Sequence, residues 1–147
     1  MCCDPMPSSH RPALVERALT VAQPFASAIV AGGKNENRSW YPPDWAVGSW
    51  LAIHASGKRD HPLWPDYAHL WSPPGPLQRS AIVGIARLVS VWAPGEADDD
   101  PWIVPGCVLW EFGQRVALDE PIPCNGALGL WRLPPAIAAR LGALIPA

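Results

Sequence analysis

Gln23-Pro24-Phe25-Ala26-Ser27-Ala28-Ile29-Val30-Ala31-Gly32-Gly33-Lys34-Asn35-Glu36-Asn37-Arg38-Ser39-Trp40 is the stretch on which the fold turns. Pro24 suits the first turn of a helix, and Phe25 to Ala31 supply an apolar helical body. Gly32-Gly33 ends it, because glycine takes the left-handed cap conformation without a Cβ penalty. Asn35 to Trp40 then reads as a strand loaded with polar groups. In an extended chain alternate side chains share a face, so Lys34, Glu36, Arg38 and Trp40 are expected along one wall. A short helix that feeds its chain through a glycine hinge into such a strand encloses a small pocket. Polar groups held on regular elements are pre-positioned, which lowers the ordering cost of binding.

Working outward, Ala18 to Val21 reads as a short apolar strand before the helix. Ser49 to Ser56 reads as a strand with Trp50, Ala52, His54 and Ser56 on one face and Leu51, Ile53 and Ala55 on the other. His61 to Trp71 reads as a short helix. Ser80 to Trp92 carries β-branched bulk throughout, the pattern of a strand buried on both faces. Cys107 to Phe112 and Arg115 to Leu118 read as two strands around Gly113-Gln114, Leu128 to Leu133 as a last strand, and Pro134 to Leu144 as a terminal helix. Residues 1–17 lack periodicity and read as a flexible leader; 18–147 read as one domain.

The chain has 147 residues, enough for one domain. Hydrophobic residues make up 49% and charged residues 16%, a globular rather than a disordered balance. Nineteen prolines and 12 glycines favour short elements joined by loops. The formal net charge of −2 argues against a wholly basic nucleic-acid-binding surface, so any such contact is local. No run of apolar residues is long enough to span a membrane and no secretory signal is read, which leaves the cytoplasm as the default compartment. Cys2, Cys3, Cys107 and Cys124 form no Cys-x-x-Cys pair, so neither a zinc site nor any other cofactor is read, and unpaired thiols are expected. Gly32-Gly33-Lys34 is not a phosphate-binding loop: the first glycine is missing and Asn35 replaces the metal-binding hydroxyl. Asp98-Asp99-Asp100 reads either as a cation site or as hydrated loop carboxylates.

The order of four segments resembles the activating-signal-cointegrator homology (ASCH) domain, a relative of the PUA domains. These segments are Leu19-Thr20-Val21-Ala22-Gln23-Pro24-Phe25-Ala26, Gly33-Lys34 with Glu36-Asn37-Arg38-Ser39-Trp40, Leu51-Ala52-Ile53-His54-Ala55-Ser56, and Pro121 to Trp131. The resemblance implies an α+β fold: a small PUA-like mixed or antiparallel β-barrel flanked by two or three short helices. It also implies binding of single-stranded RNA, or of a nucleobase or nucleoside, in a cleft beside the barrel. Other members are ribonucleases, or amidohydrolases acting on an acylated nucleoside. The chain departs from the family in having only Asn35 between Lys34 and Glu36, one residue fewer than usual. If the glycine turn absorbs the deletion, Glu36 and Arg38 keep their family positions and Lys34 is displaced. Asn125 stands where the family often has a basic residue. The amidohydrolases carry a threonine shortly after the lysine, where this chain has Asn35, Glu36 and Asn37.

Two sets of candidate residues follow. Lys34, Glu36 and Glu111 are candidate catalytic groups: a lysine and carboxylates able to activate water, with Glu111 sharing a strand face with Leu109. Gln23, Pro24, Ser27, Asn37, Arg38, Trp40 and His54 are candidate binding residues. Arg38 offers a planar fork for phosphate or a ring, and an aromatic such as Trp40 offers a stacking face. Each has a plainer reading. The Lys-Glu-Arg charges can satisfy one another on a solvated strand, His54 can be a packed histidine bonded to a backbone carbonyl, and Glu111 can be an edge-strand charge. A ligand-free interaction module is the third functional reading.

Overall fold

The computed structural model describes residues 14–96 and 100–147. Cys2, Cys3, Asp98 and Asp99 therefore lie outside the described residues. The elements run β1 (Arg17–Val21), α1 (Phe25–Ala31), β2 (Glu36–Ser39), β3 (Trp50–Ala55), α2 (Trp64–Tyr67), β4 (Ala81–Trp92), β5 (Val108–Pro123), β6 (Leu130–Arg132) and α3 (Pro135–Gly142). Single 3-10 turns stand at Asp44–Ala46 and Ala68–Leu70. The strands form one mixed sheet in the order β2-β5-β4-β3-β1-β6. Only β1 and β3 pair in parallel; every other neighbour is antiparallel. Six curled strands with three short helices make the α+β, PUA-like architecture that the resemblance implies.

Alternation along the strands divides the apolar residues between two cores. Leu19 and Val21 of β1 and Leu51, Ile53 and Ala55 of β3 face α1, whose Phe25, Ala28 and Ile29 cover that side. Ala18 and Ala52 face the opposite way, toward Leu141 and Ala138 of α3. In β4 the parity reverses. Ile82 and Ile85 both point to the α3 side, and the switch falls at a bulge where Ile53 pairs with Gly84 but His54 pairs with Ile82, skipping Val83. An extra residue flips every side chain beyond it. Gly84 is needed there: a Cβ would meet the Val116 carbonyl at 2.6 Å and Val30 Cγ1 at 2.7 Å.

Three expectations need correction. Residues 15–17 belong to the folded body rather than to a leader, because Val15 is fully buried, its N–H donates to the Ala138 carbonyl, and Arg17 opens β1. Gly113-Gln114 is not a turn; β5 runs through it and absorbs the irregularity as register shifts against β4. Glycine fits there because a Cβ on Gly113 would meet Val89 Cγ1 at 2.8 Å. Finally, β4 is buried on both faces only over Ala81–Ala86; beyond that Arg87 and Val89 are exposed, where the strand outruns the helices.

Candidate functional site

A cavity of about 770 Å³ opens between the start of α1 and the ends of β1, β2 and β3. That volume lies within the range of small-molecule sites, about 300–1,000 Å³. The turn that positions its central residue is built by glycine. Gly32 closes α1, and its N–H and that of Lys34 both reach the Ala28 carbonyl, at 2.9 and 3.1 Å. Gly33 sits at φ 79°, the left-handed region, and a Cβ on Gly32 would meet the Trp71 ring at 2.7 Å. Arg115 of β5 then grips the emerging strand, donating to the Lys34 carbonyl and to Asn35 Oδ1, both at 2.7 Å.

Lys34 is thereby turned inward and is only 5% exposed. Its ammonium donates to the Glu36 carbonyl and lies 5.5 Å from the Phe25 ring centre and 5.8 Å from that of Trp102. Burial lowers its pKa from 10.5 to about 8, against the opposing pull of Glu36 and Asp100. The Glu36 carboxyl is buried behind the cavity wall. Burial, reinforced by Asp100, raises its pKa from 4.5 to about 7, and its Oε1 has no hydrogen-bond partner among the described residues. Two groups of opposite charge type are thus brought toward neutrality from opposite sides, a condition that suits acid–base work near physiological pH.

The remaining predicted residues divide. Asn37, Arg38, Trp40 and His54 line the cavity with Lys34. Trp40, 44% exposed, forms its rim and packs edge-on against Trp110 at 5.1 Å. Gln23, Pro24 and Ser27 do not line it. Gln23 is fully buried; its amide donates to Ser27 Oγ and to the Gln78 carbonyl, both at 2.8 Å, and Pro24 caps α1 from within the core. They hold the helix in place. Glu111 lies opposite Glu36 in the β2–β5 pairing, but its carboxylate accepts from Trp92 Nε1 at 3.3 Å and does not line the cavity. Lys34 is buried, so it and Arg38 do not form a pair on an open surface, the arrangement that would favour a ligand-free interaction module.

His54 is held as its plainer reading has it, and by more than a carbonyl. Its Nε2 lies 2.7 Å from the Cys124 carbonyl, so Nε2 carries the proton and Nδ1 accepts from the Thr20 hydroxyl at 3.2 Å. The Thr20 oxygen in turn accepts from Trp131 Nε1 at 3.0 Å. Gly126 closes over this chain, where a Cβ would meet Thr20 Oγ1 at 2.6 Å and His54 Cε1 at 2.7 Å.

Sequence reading misses His61, Trp102, Thr20 and Gly126 as cavity residues. His61 and Trp102 come from the turn before α2 and from the loop before β5, remote in sequence and without periodic signal. Gly126 falls within the Pro121 to Trp131 segment, yet only the ring packed against it reveals its role. Among the described residues no group of three or more His, Cys, Asp or Glu could hold a metal ion, Cys107 and Cys124 are free thiols, and no helix is long and apolar enough to cross a membrane.

No family model matches the chain, and no curated protein matches it in sequence. Its fold does have counterparts among solved structures. The crystal structure of ASCH from Zymomonas mobilis aligns with a TM-score of 0.54 over 87% of this chain and 94% of that one, at 14% identity. A serine-to-alanine mutant of the Zymomonas mobilis protein aligns with a TM-score of 0.55 over 91% and 99%, at 16% identity. The fold is ASCH-like. At such identity the likeness speaks for the ASCH-like fold alone, and what the cavity holds rests on its own residues.

Proposed function

We propose that the cavity binds a nucleoside-sized ligand: a free nucleoside or nucleotide, or one unpaired nucleotide of single-stranded RNA. The observation that carries this is the combination of an apolar, aromatic wall (Phe25, Trp102, Leu109) with the buried ammonium of Lys34 and the guanidinium of Arg38 in one cavity of about 770 Å³. Aromatic faces accept any base by stacking, worth about 1–3 kcal/mol per base, and the cations suit a phosphate or base oxygens. A net charge of −2 fits a ligand gripped locally rather than along an extended basic surface.

Isothermal titration of the full chain with nucleosides, nucleoside monophosphates and short single-stranded RNA tests the reading. We expect saturable binding that Lys34→Met weakens about tenfold or more, the loss of one buried charge contact. No heat with any of the three ligands would remove it.

A second reading, hydrolysis of RNA or of an acylated nucleoside, is favoured by one observation: the amine of Lys34, with a pKa of about 8, is partly neutral near physiological pH. A neutral amine facing the cavity can take a proton from water or from a ribose hydroxyl. Product formed by wild type and absent in Lys34→Met would select this reading over binding alone.

A further inference from the structure

We propose that Arg38 and His61 form a clamp for a phosphate group at the mouth of the cavity. It rests on the reading above in one respect, that the phosphate belongs to a nucleotide. Arg38 Nη2 stands 2.8 Å from His61 Nε2. On the other side of the ring, His61 Nδ1 takes the backbone N–H of Leu63 at 3.0 Å. A neutral imidazole has one N–H and one acceptor nitrogen; once Nδ1 accepts, the proton must sit on Nε2. That N–H then points at a guanidinium, which has donors and no acceptor. Protonating the ring a second time adds another donor and a like charge. Every protonation state leaves two donors face to face. Burial, and then the charge of Arg38, lower the His61 pKa, in keeping with a neutral ring beside a cation.

An oxyanion seated between the two groups turns the conflict into a pair of hydrogen bonds, one charge-assisted. No competing acid among the described residues serves the purpose. Among the described residues no carboxylate lies within ion-pair distance of Arg38, and Asp60, the acid next to His61 in sequence, is taken by Arg79. Lys58 lines the same cavity and brings a second cation to the mouth. Donors arriving from β2, from the turn after β3 and from the segment before α2 suit a tetrahedral group with several acceptor oxygens better than a planar carboxylate. The Phe25 ring lies 5.4 Å from the His61 ring, so the clamp adjoins the aromatic wall, as a phosphate adjoins the rest of its nucleotide.

The test uses the full chain and two readouts. The first follows the His61 ring nitrogens by NMR during titration with inorganic phosphate. The second is calorimetry with nucleoside 5′-monophosphates, the matching nucleosides and a dinucleoside monophosphate. We expect saturable movement of the His61 signals, and nucleotides binding about tenfold or more tightly than nucleosides, an advantage that collapses in Arg38→Gln and in His61→Phe. Arg38 is exposed, so its variant keeps the test open if His61→Phe fails to fold. Preference for the 5′-monophosphate marks a free nucleotide as the source; preference for the dinucleoside monophosphate marks RNA. His61 signals unmoved by phosphate, with nucleotide and nucleoside bound equally, overturn the clamp and leave the cavity reading standing. Phosphate-induced movement without nucleoside or nucleotide binding does the reverse.

Discussion

The ammonium of Lys34 lies 5.5 Å from the centre of the Phe25 ring, inside the cavity and on its aromatic wall. A cation over a ring face gains about 0.5–2 kcal/mol, which offsets part of the cost of taking the charge out of water. It does not offset all of it, and the remainder is the lowered pKa of the lysine.

That remainder has a pH signature. Lys34 titrates near 8 when folded and near its ordinary 10.5 when unfolded, so between those values the unfolded chain holds more protons and stability rises with pH. Glu36 titrates near 7 when folded and near 4.5 when unfolded; between those values the folded chain holds more protons and stability falls as pH rises. We expect the two effects together to give a minimum between about pH 7 and 8, with limbs of the order of 2–3 kcal/mol. Urea denaturation across this range checks it: Glu36→Gln should flatten the acidic limb and Lys34→Met the alkaline limb. Parallel curves for wild type and both variants would contradict it.

Gly126→Ala should cost about 1–3 kcal/mol, the usual penalty for forcing a methyl into a packed site. The Cβ would sit 2.6 Å from Thr20 Oγ1 and 2.8 Å from His54 Nδ1, so the hydrogen bond between those atoms must break or the loop must move. Urea midpoints measure the loss, and the Trp131 indole N–H, released from Thr20, should exchange faster with deuterated solvent. An unchanged midpoint would show that the 125–129 loop yields freely.

Glu111→Gln should leave nucleotide affinity within about twofold of wild type and cost no more than about 1 kcal/mol, because the amide oxygen can still accept from Trp92. It should also lower the Glu36 pKa, since the Glu111 charge helps to raise it. A carbon-detected pH titration of the Glu36 carboxyl reads this shift. A large loss of affinity would place Glu111 in the site after all.

The segment from Gln23 to Trp40 is legible in sequence because each of its signals is local: a proline before an apolar run, paired glycines after it, and then a polar strand. The first half of Ser80 to Trp92 is legible for the same reason. Gly113 misleads because glycine marks both a turn and a bulge-tolerant strand, and only the neighbouring Val89 decides between them. Strict alternation puts Glu36 on the cavity wall, but regular pairing begins at Glu36 itself, so Lys34 reaches the cavity from the turn while Glu36 stays behind it. The Arg38–His61 contact spans 23 residues and depends on which ring nitrogen Leu63 occupies, a fact that only coordinates carry.

The most direct test is a proton–nitrogen NMR titration of the indole N–H signals with a nucleoside 5′-monophosphate. Trp102 and Trp40 line the cavity, whereas Trp92, bonded to Glu111, does not. We expect the Trp102 and Trp40 signals to move together and saturably while Trp92 stays fixed. Signals that stay still at millimolar nucleotide, or movement confined to Trp92, would contradict a nucleotide site in this cavity.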